Sequence, residues 1–111
     1  MDRPLTIGYF GDGRWARRAL DRIVERPELR VLFVVGRHAD PDPELRAYAE
    51  RLDVPFATDP DVNRPGFVDA VRAYEADLHV SMSFDQILGR ELIDLAPEGF
   101  INCHAGALPF Y

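Results

Sequence analysis

Leu5-Thr6-Ile7-Gly8-Tyr9-Phe10-Gly11-Asp12-Gly13-Arg14-Trp15 is the stretch on which the reading of the fold turns. Leu5 to Phe10 is short and largely apolar, as a strand inside a sheet requires, and it ends in the turn Gly11-Asp12-Gly13. Beyond the turn the period changes. Trp15, Ala19, Leu20, Ile23 and Val24 recur at helical spacing through about Arg26. Pro27 then ends the helix, because its ring and missing N–H cannot continue the hydrogen-bond ladder. Strand, glycine turn and helix in that order open a βαβ unit, which predicts a parallel sheet.

The same alternation continues to the end of the chain. Val31 to Val35 is an unbroken β-branched and aromatic run that suits a central strand and closes at Gly36. Asp40-Pro41-Asp42-Pro43-Glu44 reads as a helix start, with an acidic cap and acids at the positive end of the helix dipole, and the helix runs to about Leu52. Val54-Pro55-Phe56 is a brief extended piece that its proline assigns to a sheet edge. A turn-rich loop, Asp59 to Pro65, precedes a helix from Gly66 to about Ala76. Leu78 to Ser81 reads as a fourth strand, Gly89 to Leu95 as a short helix and Phe100 to Cys103 as a fifth strand. The expected fold is α/β: a Rossmann-like, open, twisted, mostly parallel sheet of about five strands with helices on both faces.

Composition narrows the function classes. A chain of 111 residues is one domain at most, and 47% hydrophobic with 29% charged residues is the balance of a soluble globular protein. No apolar run reaches bilayer-spanning length and the N-terminus lacks a signal peptide's pattern, so a cytoplasmic protein without a membrane partner is expected. Net charge of -6 opposes a phosphate-binding surface, and no nucleic-acid partner is expected. All thirteen basic residues are arginine, which removes lysine chemistry from this chain. Cys103 is the lone cysteine, so no disulfide framework and no metal site are expected.

Four places can carry chemistry. The turn after the first strand has the spacing G-x-x-G-x-G rather than the dinucleotide fingerprint G-x-G-x-x-G, and Arg14 and Trp15 put bulk where that fingerprint needs close backbone approach. It can still line a ligand, with Arg14 facing phosphate and Trp15 packing or stacking. After the second strand, Arg37 can meet a ribose phosphate or belong with His38 to a solvated loop; His79, inside an apolar strand, reads as a core histidine. Ser81-Met82-Ser83-Phe84-Asp85-Gln86-Ile87-Leu88 follows the fourth strand, where ligands collect in open α/β sheets. Its apolar members suit a flat wall, and Gln86 can hydrogen-bond a heterocycle. Last, strand alternation turns Asn102 and His104 to one side and Ile101 and Cys103 to the other. An amide and an imidazole at that edge can stabilise an oxyanion and move a proton, or form a structural pair.

The stretch Ile101 to Tyr111 resembles the signature of the folate-dependent formyltransferases, Asn-x-His followed by a small residue and Leu-Pro. That family includes methionyl-tRNA formyltransferase, glycinamide ribonucleotide transformylase and the sugar N-formyltransferases. The tail Asn102-Cys103-His104-Ala105-Gly106-Ala107-Leu108-Pro109-Phe110-Tyr111 looks most like the sugar enzymes, as do the Gly8 to Trp15 and Ser81 to Leu88 segments. The resemblance implies transfer of a formyl group from 10-formyltetrahydrofolate, as co-substrate, to an amine of a dTDP-linked amino-deoxy sugar. It implies Asn102 and His104 as catalytic residues, with Met82, Phe84, Asp85, Gln86, Ile87 and Leu88 cradling the folate. Gly13, Arg14, Trp15 and Tyr111 would contact the nucleotide-sugar. A third catalytic member, an aspartate, would lie beyond Tyr111, so residues 1–111 are expected to be the N-terminal part of the catalytic domain and inactive alone. An uncovered sheet edge would favour a homo-oligomer. Two alternatives stay open: the NAD(P)-binding domain of an oxidoreductase, and a methionyl-tRNA formyltransferase-like enzyme.

Overall fold

Strands β1 (Leu5–Gly11), β2 (Leu29–Val35), β3 (Phe56–Ala57), β4 (Leu78–Met82) and β5 (Phe100–Cys103) form one sheet in a computed structural model that describes residues 3–103. The order is β3-β2-β1-β4-β5, and every described pair is parallel. Helices α1 (Gly13–Val24), α2 (Pro43–Leu52), α3 (Pro65–Arg72) and α4 (Arg90–Asp94) connect them. Strand alternation sends Ile7, Tyr9, Val31, Val34 and Val80 against Ala16 and Leu20 of α1 and Leu45 and Ala49 of α2. The opposite face sends Phe10, Phe33 and Val35 against Phe67, Val68 and Val71 of α3 and Leu92 of α4. The expected architecture is therefore the one found, with both sheet faces covered. Among the described residues no helix is long and apolar enough to cross a membrane.

Several local expectations shift, each for a physical reason. The core stripe of α1 is Ala16 and Leu20, supported by Ala19 and Ile23, whereas Trp15 is 42% exposed and Val24 39%. Trp15 precedes Ala16 by one helical step of about 100°, which turns it off the buried face. It stacks instead under the Arg14 and Arg18 guanidiniums, 4.9 and 5.4 Å from the ring centre. The cap of α2 is Asp42, whose carboxylate accepts from Glu44 N at 3.0 Å, while Asp40 sits at φ 51 in the preceding turn. The helix after Pro65 stops at Arg72, because Tyr74 N and Glu75 N close tighter turns on Val71 O and Arg72 O and Glu75 takes φ 53. β3 lies at the edge, as Pro55 requires.

The middle of the sheet is built around small and satisfied groups. A Cβ on Gly8 would meet the Phe33 ring at 2.3 Å and the His79 ring at 2.8 Å, so only glycine lets both rings close over β1. His79 is 1% exposed and its Nδ1 lies 3.0 Å from Leu92 O, which makes it the core histidine expected; burial pushes its pKa down. Tyr9 donates its hydroxyl to Ala16 O at 2.7 Å, tying β1 to α1, and burial raises its pKa well above the ordinary value.

Asp77 holds the amino ends of β1 and β4 together. Its carboxylate accepts two bonds from the Arg3 guanidinium at 2.9 Å, one from Thr6 N at 2.9 Å and one from Thr6 Oγ1 at 3.0 Å. The Arg3 guanidinium, followed by the Thr6 amide, holds this carboxyl well below the usual carboxylate range. A folded-state pKa below the unfolded value near about 3.9 stabilises the protein above that value and ceases to as pH falls through the folded one. Asp77→Asn is therefore expected to lower the melting temperature at pH 7, with the gap to wild type narrowing below about pH 4. Thermal melts from pH 7 to pH 2 check this; a gap independent of pH would show that the charge is not what Asp77 contributes.

Candidate active site

The sheet order reverses between β1 and β4, since the chain builds outward from β1 through β2 to β3 and then returns to β4 and β5. Open α/β sheets bind ligands beyond the carboxyl ends of the strands at such a reversal. Here those ends deliver the turn 11–15 from β1, the loop 83–89 from β4 and Asn102 from β5. Gly11 pairs with Met82 across the reversal, and a Cβ there would meet Met82 O at 2.7 Å and the Ala16 Cβ at 2.9 Å. This glycine lets β1 turn into α1 flush against β4.

A cavity of about 150 Å³ opens beside the β4 and β5 ends, lined by Phe84 to Leu88 from the loop and by Ser81, Phe100 and Asn102 from the strands. Small-molecule sites run from about 300 Å³ upward, so this space fits a ring or a functional group rather than a whole folate. Apolar walls come from Phe84, Ile87 and Leu88, and Ile87 is 87% exposed. The larger cavity between Arg3, Val71, Arg72 and Pro97 opens at the opposite, amino edge of the strands, away from the reversal.

Asn102 reaches the cavity because β5 pairs in register with β4, so that Ser81 stands directly beside it on the face shared with Phe100. The buried Ser81 hydroxyl donates to Asn102 Oδ1 at 2.7 Å. Just beyond β4, Ser83 takes φ 54 while its N–H remains bonded to Cys103 O at 3.3 Å. His104 and Tyr111 lie outside the described residues.

Five of the six expected folate residues, Phe84, Asp85, Gln86, Ile87 and Leu88, line the same space as Asn102. Met82 does not. It falls on the alternate face of β4 and packs with Tyr9 and Val80 in the α1/α2 layer. Gln86 is present, but its amide serves the neighbouring loop: Oε1 accepts from Val62 N at 2.9 Å, and Nε2 donates to Asp59 O at 2.8 Å. Its side chain thus braces the loop, and the residue still lines the cavity. Asn63 completes the brace, a role that sequence reasoning missed. Nδ2 donates to Ile87 O at 2.8 Å and Oδ1 accepts from Gly89 N at 2.7 Å. Asp59, bonded to Asp61 N and to the Arg64 guanidinium at 2.8 Å, fixes the shape of this loop, and Arg64 holds its carboxyl below the usual range. The dense Asp and Asn spacing at 59, 61 and 63 was the signal, because such side chains fold turns around themselves.

Gly13, Arg14 and Trp15 stand on the adjacent β1 turn and do not line this cavity. Asp12 flanks α1 without capping it, since its carboxylate accepts from Asp42 N at 3.1 Å and Arg37 N at 3.4 Å. Arg37 folds back, donating to Ala39 O at 2.8 Å and Asp40 O at 3.0 Å, with its guanidinium 3.7 Å from Asp12. A carboxylate in the turn and an arginine committed to local carbonyls suit neither the diphosphate nor the 2′-phosphate of NADP. His38, in the exposed loop expected, lies 3.2 Å from Thr58 Oγ1.

An open parallel sheet with an amide and a braced apolar loop at its carboxyl edge is the layout in which open α/β domains place a small-molecule site. The chain belongs to the formyl transferase family, whose pattern matches residues 7–111. It is 34% identical over 115 residues to methionyl-tRNA formyltransferase of Geobacter sulfurreducens, covering 96% of this chain and 36% of that protein. It is 36% identical over 113 residues to the enzyme of the same name from Trichlorobacter lovleyi, covering 95% of this chain and 35% of that protein. The chain thus spans about a third of the length of these relatives. In fold it is similar to phosphoribosylglycinamide formyltransferase of Brucella melitensis, with TM-score 0.66 and 20% identity over 99% of this chain and 61% of that one. Glycinamide ribonucleotide transformylase 1 of Symbiobacterium toebii gives the same TM-score, 0.66, at 21% identity over 89% of this chain and 50% of that one. The family expectation holds, whereas the particular likeness to sugar enzymes has no counterpart among these relatives.

Asn63→Ala is expected to destabilise the protein by about 1–3 kcal/mol, through two lost bonds to the loop backbone. It should also speed amide exchange at Gly89. Denaturant unfolding and hydrogen–deuterium exchange measure the two effects; unchanged exchange at Gly89 would remove Asn63 from the brace.

Proposed function

We propose that this chain provides the folate side of an N-formyltransferase, which moves a formyl group from 10-formyltetrahydrofolate to a primary amine. The observation that carries this reading is that Asn102 and the Phe84–Leu88 loop line one cavity at the carboxyl edge of the sheet. Membership of the formyl transferase family supports the same reaction. The apolar walls fit the edge of a pterin ring, and the amide fits the formyl oxygen. In the reaction the amine nitrogen attacks the formyl carbon, and negative charge develops on the carbonyl oxygen. The N–H₂ group of Asn102 donates to that oxygen. His104, by its place in the Asn-x-His motif, accepts the proton that the amine loses. The bond from the formyl carbon to N10 then breaks, N10 takes up a proton, and tetrahydrofolate leaves with the formamide formed on the acceptor.

Similarity to enzymes named methionyl-tRNA formyltransferase supports an aminoacyl-tRNA amine as acceptor. The sugar reading draws on different observations. Gly106 and Phe110 in the tail resemble the dTDP-sugar enzymes, and a net charge of -6 opposes a phosphate-rich partner on this part of the protein. Transfer assays with labelled 10-formyltetrahydrofolate separate the two, offering methionyl-tRNA and a dTDP-linked amino-deoxy sugar to the protein that carries this chain. Label on methionyl-tRNA is the expected result, and label on the sugar selects the second reading. Saturable NADP binding, with no affinity for a folate analogue and no transfer to either acceptor, would overturn formyl transfer altogether.

A further inference from the structure

We propose that the cavity at the amino edge of the sheet is a second small-molecule site, recognised through a ring nitrogen of His79, for an apolar-bodied molecule with an O–H or N–H donor at its inner end and a polar outer end. It stands apart from the Asn102 cavity and does not rest on the formyl-transfer reading. Alternation along β4 sends Leu78, Val80 and Met82 into the α1/α2 layer and His79 toward α4. There the imidazole lies against the Phe10 and Phe33 rings, 5.4 and 6.1 Å between ring centres. Leu92 O can only accept, so the Nδ1 that meets it at 3.0 Å carries the ring proton and donates. Nε2 is then a bare acceptor. Burial pushes the pKa of the ring down, which keeps it neutral at pH 7 and leaves that lone pair available.

No described residue donates to Nε2. A buried acceptor without a partner is costly, and among the described residues none is left in that state. Nε2 therefore reaches solvent, although His79 as a whole is 1% exposed. The solvent it reaches is the cavity of about 670 Å³ that His79 lines. Small-molecule sites span about 300–1,000 Å³, so this space is large enough for one. Val71 of α3, Ala76 just after it and Leu95 at the end of α4 give the cavity apolar walls. The exposed Arg3, Arg72 and Glu75 bring charges of both signs to its lining, and the two arginines are already paired with Asp77 and Asp69. The outer end thus calls for a polar group and the inner end for a donor. A molecule that fills the space without a donor displaces water from Nε2 and leaves the acceptor unpaired.

The test is a titration followed by NMR. The protein that carries this chain, isotope-labelled at histidine nitrogens and methyl carbons, receives 4-hydroxyphenylacetamide or 4-fluorophenylacetamide. The two compounds match in size and polar tail and differ in the donor. Wild type is used throughout, because replacing a buried histidine perturbs the core itself. The hydroxyl compound is expected to bind saturably with a Kd of about 1 mM. It should move the His79 Nε2 resonance upfield together with the methyls of Val71, Ala76 and Leu95. The fluoro compound is expected to bind about tenfold more weakly, the worth of one hydrogen bond, and to give no upfield shift at Nε2. Equal affinity for the two compounds, a stationary Nε2 resonance during saturable binding, or no saturable binding of the hydroxyl compound would each overturn the site. Shifts confined to Phe84–Leu88 would put the compound in the carboxyl-edge cavity instead and overturn it equally. None of these outcomes touches the role proposed for Asn102.

Discussion

β1 carries a hydrogen-bonded ladder on each side, to β2 and to β4, and the site takes its position from that double ladder. The strand can serve as the sheet's axis because it is thin where neighbours must close in. Gly8 lets the Phe33 and His79 rings meet over it, and Gly11 lets it turn beside the Met82 carbonyl. Pairing with β4 then sets Ser81 at a fixed height, and β5, pairing in turn with β4, sets Asn102 opposite it. A slip of one residue anywhere in this chain of pairings would send Asn102 to the other face.

Buried polar groups reinforce the same frame. Asp77 joins the amino ends of β1 and β4, His79 ties β4 to α4, and Asp12 laces the first turn to the loop before α2. Among the described residues no buried side-chain nitrogen or oxygen lacks a hydrogen-bond partner. The polar residues near the cavity follow one logic: Asn63 and Gln86 hold loop backbone, and Ser81 holds the Asn102 amide. A preformed wall reduces the ordering that a ligand would have to impose on binding.

Strand and helix identities were legible because period and punctuation agree. The apolar runs at Val31–Val35 and Phe100–Cys103 and the breaks at Pro27 and Gly36 each carry a local cause. The side chains that lie elsewhere than expected have a shared cause too. Trp15 and Met82 are apolar residues whose partner surface lies in another element, so composition pointed them inward or toward the ligand while geometry turned them elsewhere. Gln86 carried the right chemistry for a heterocycle, yet Val62 N and Asp59 O, distant in sequence, claim both ends of its amide.

The sequence by itself determined the α/β class, the family through the Asn-x-His motif, and the region of the candidate site. Those properties follow from local periodicity and from residue types in a fixed order, which need no partner across space. Only the tertiary structure decided the strand order β3-β2-β1-β4-β5, the pairing of Ser81 with Asn102 and the brace between loops 59–64 and 84–89. Register and side-chain partnership depend on which strands lie adjacent and at what offset, and that is settled by packing across the whole sheet.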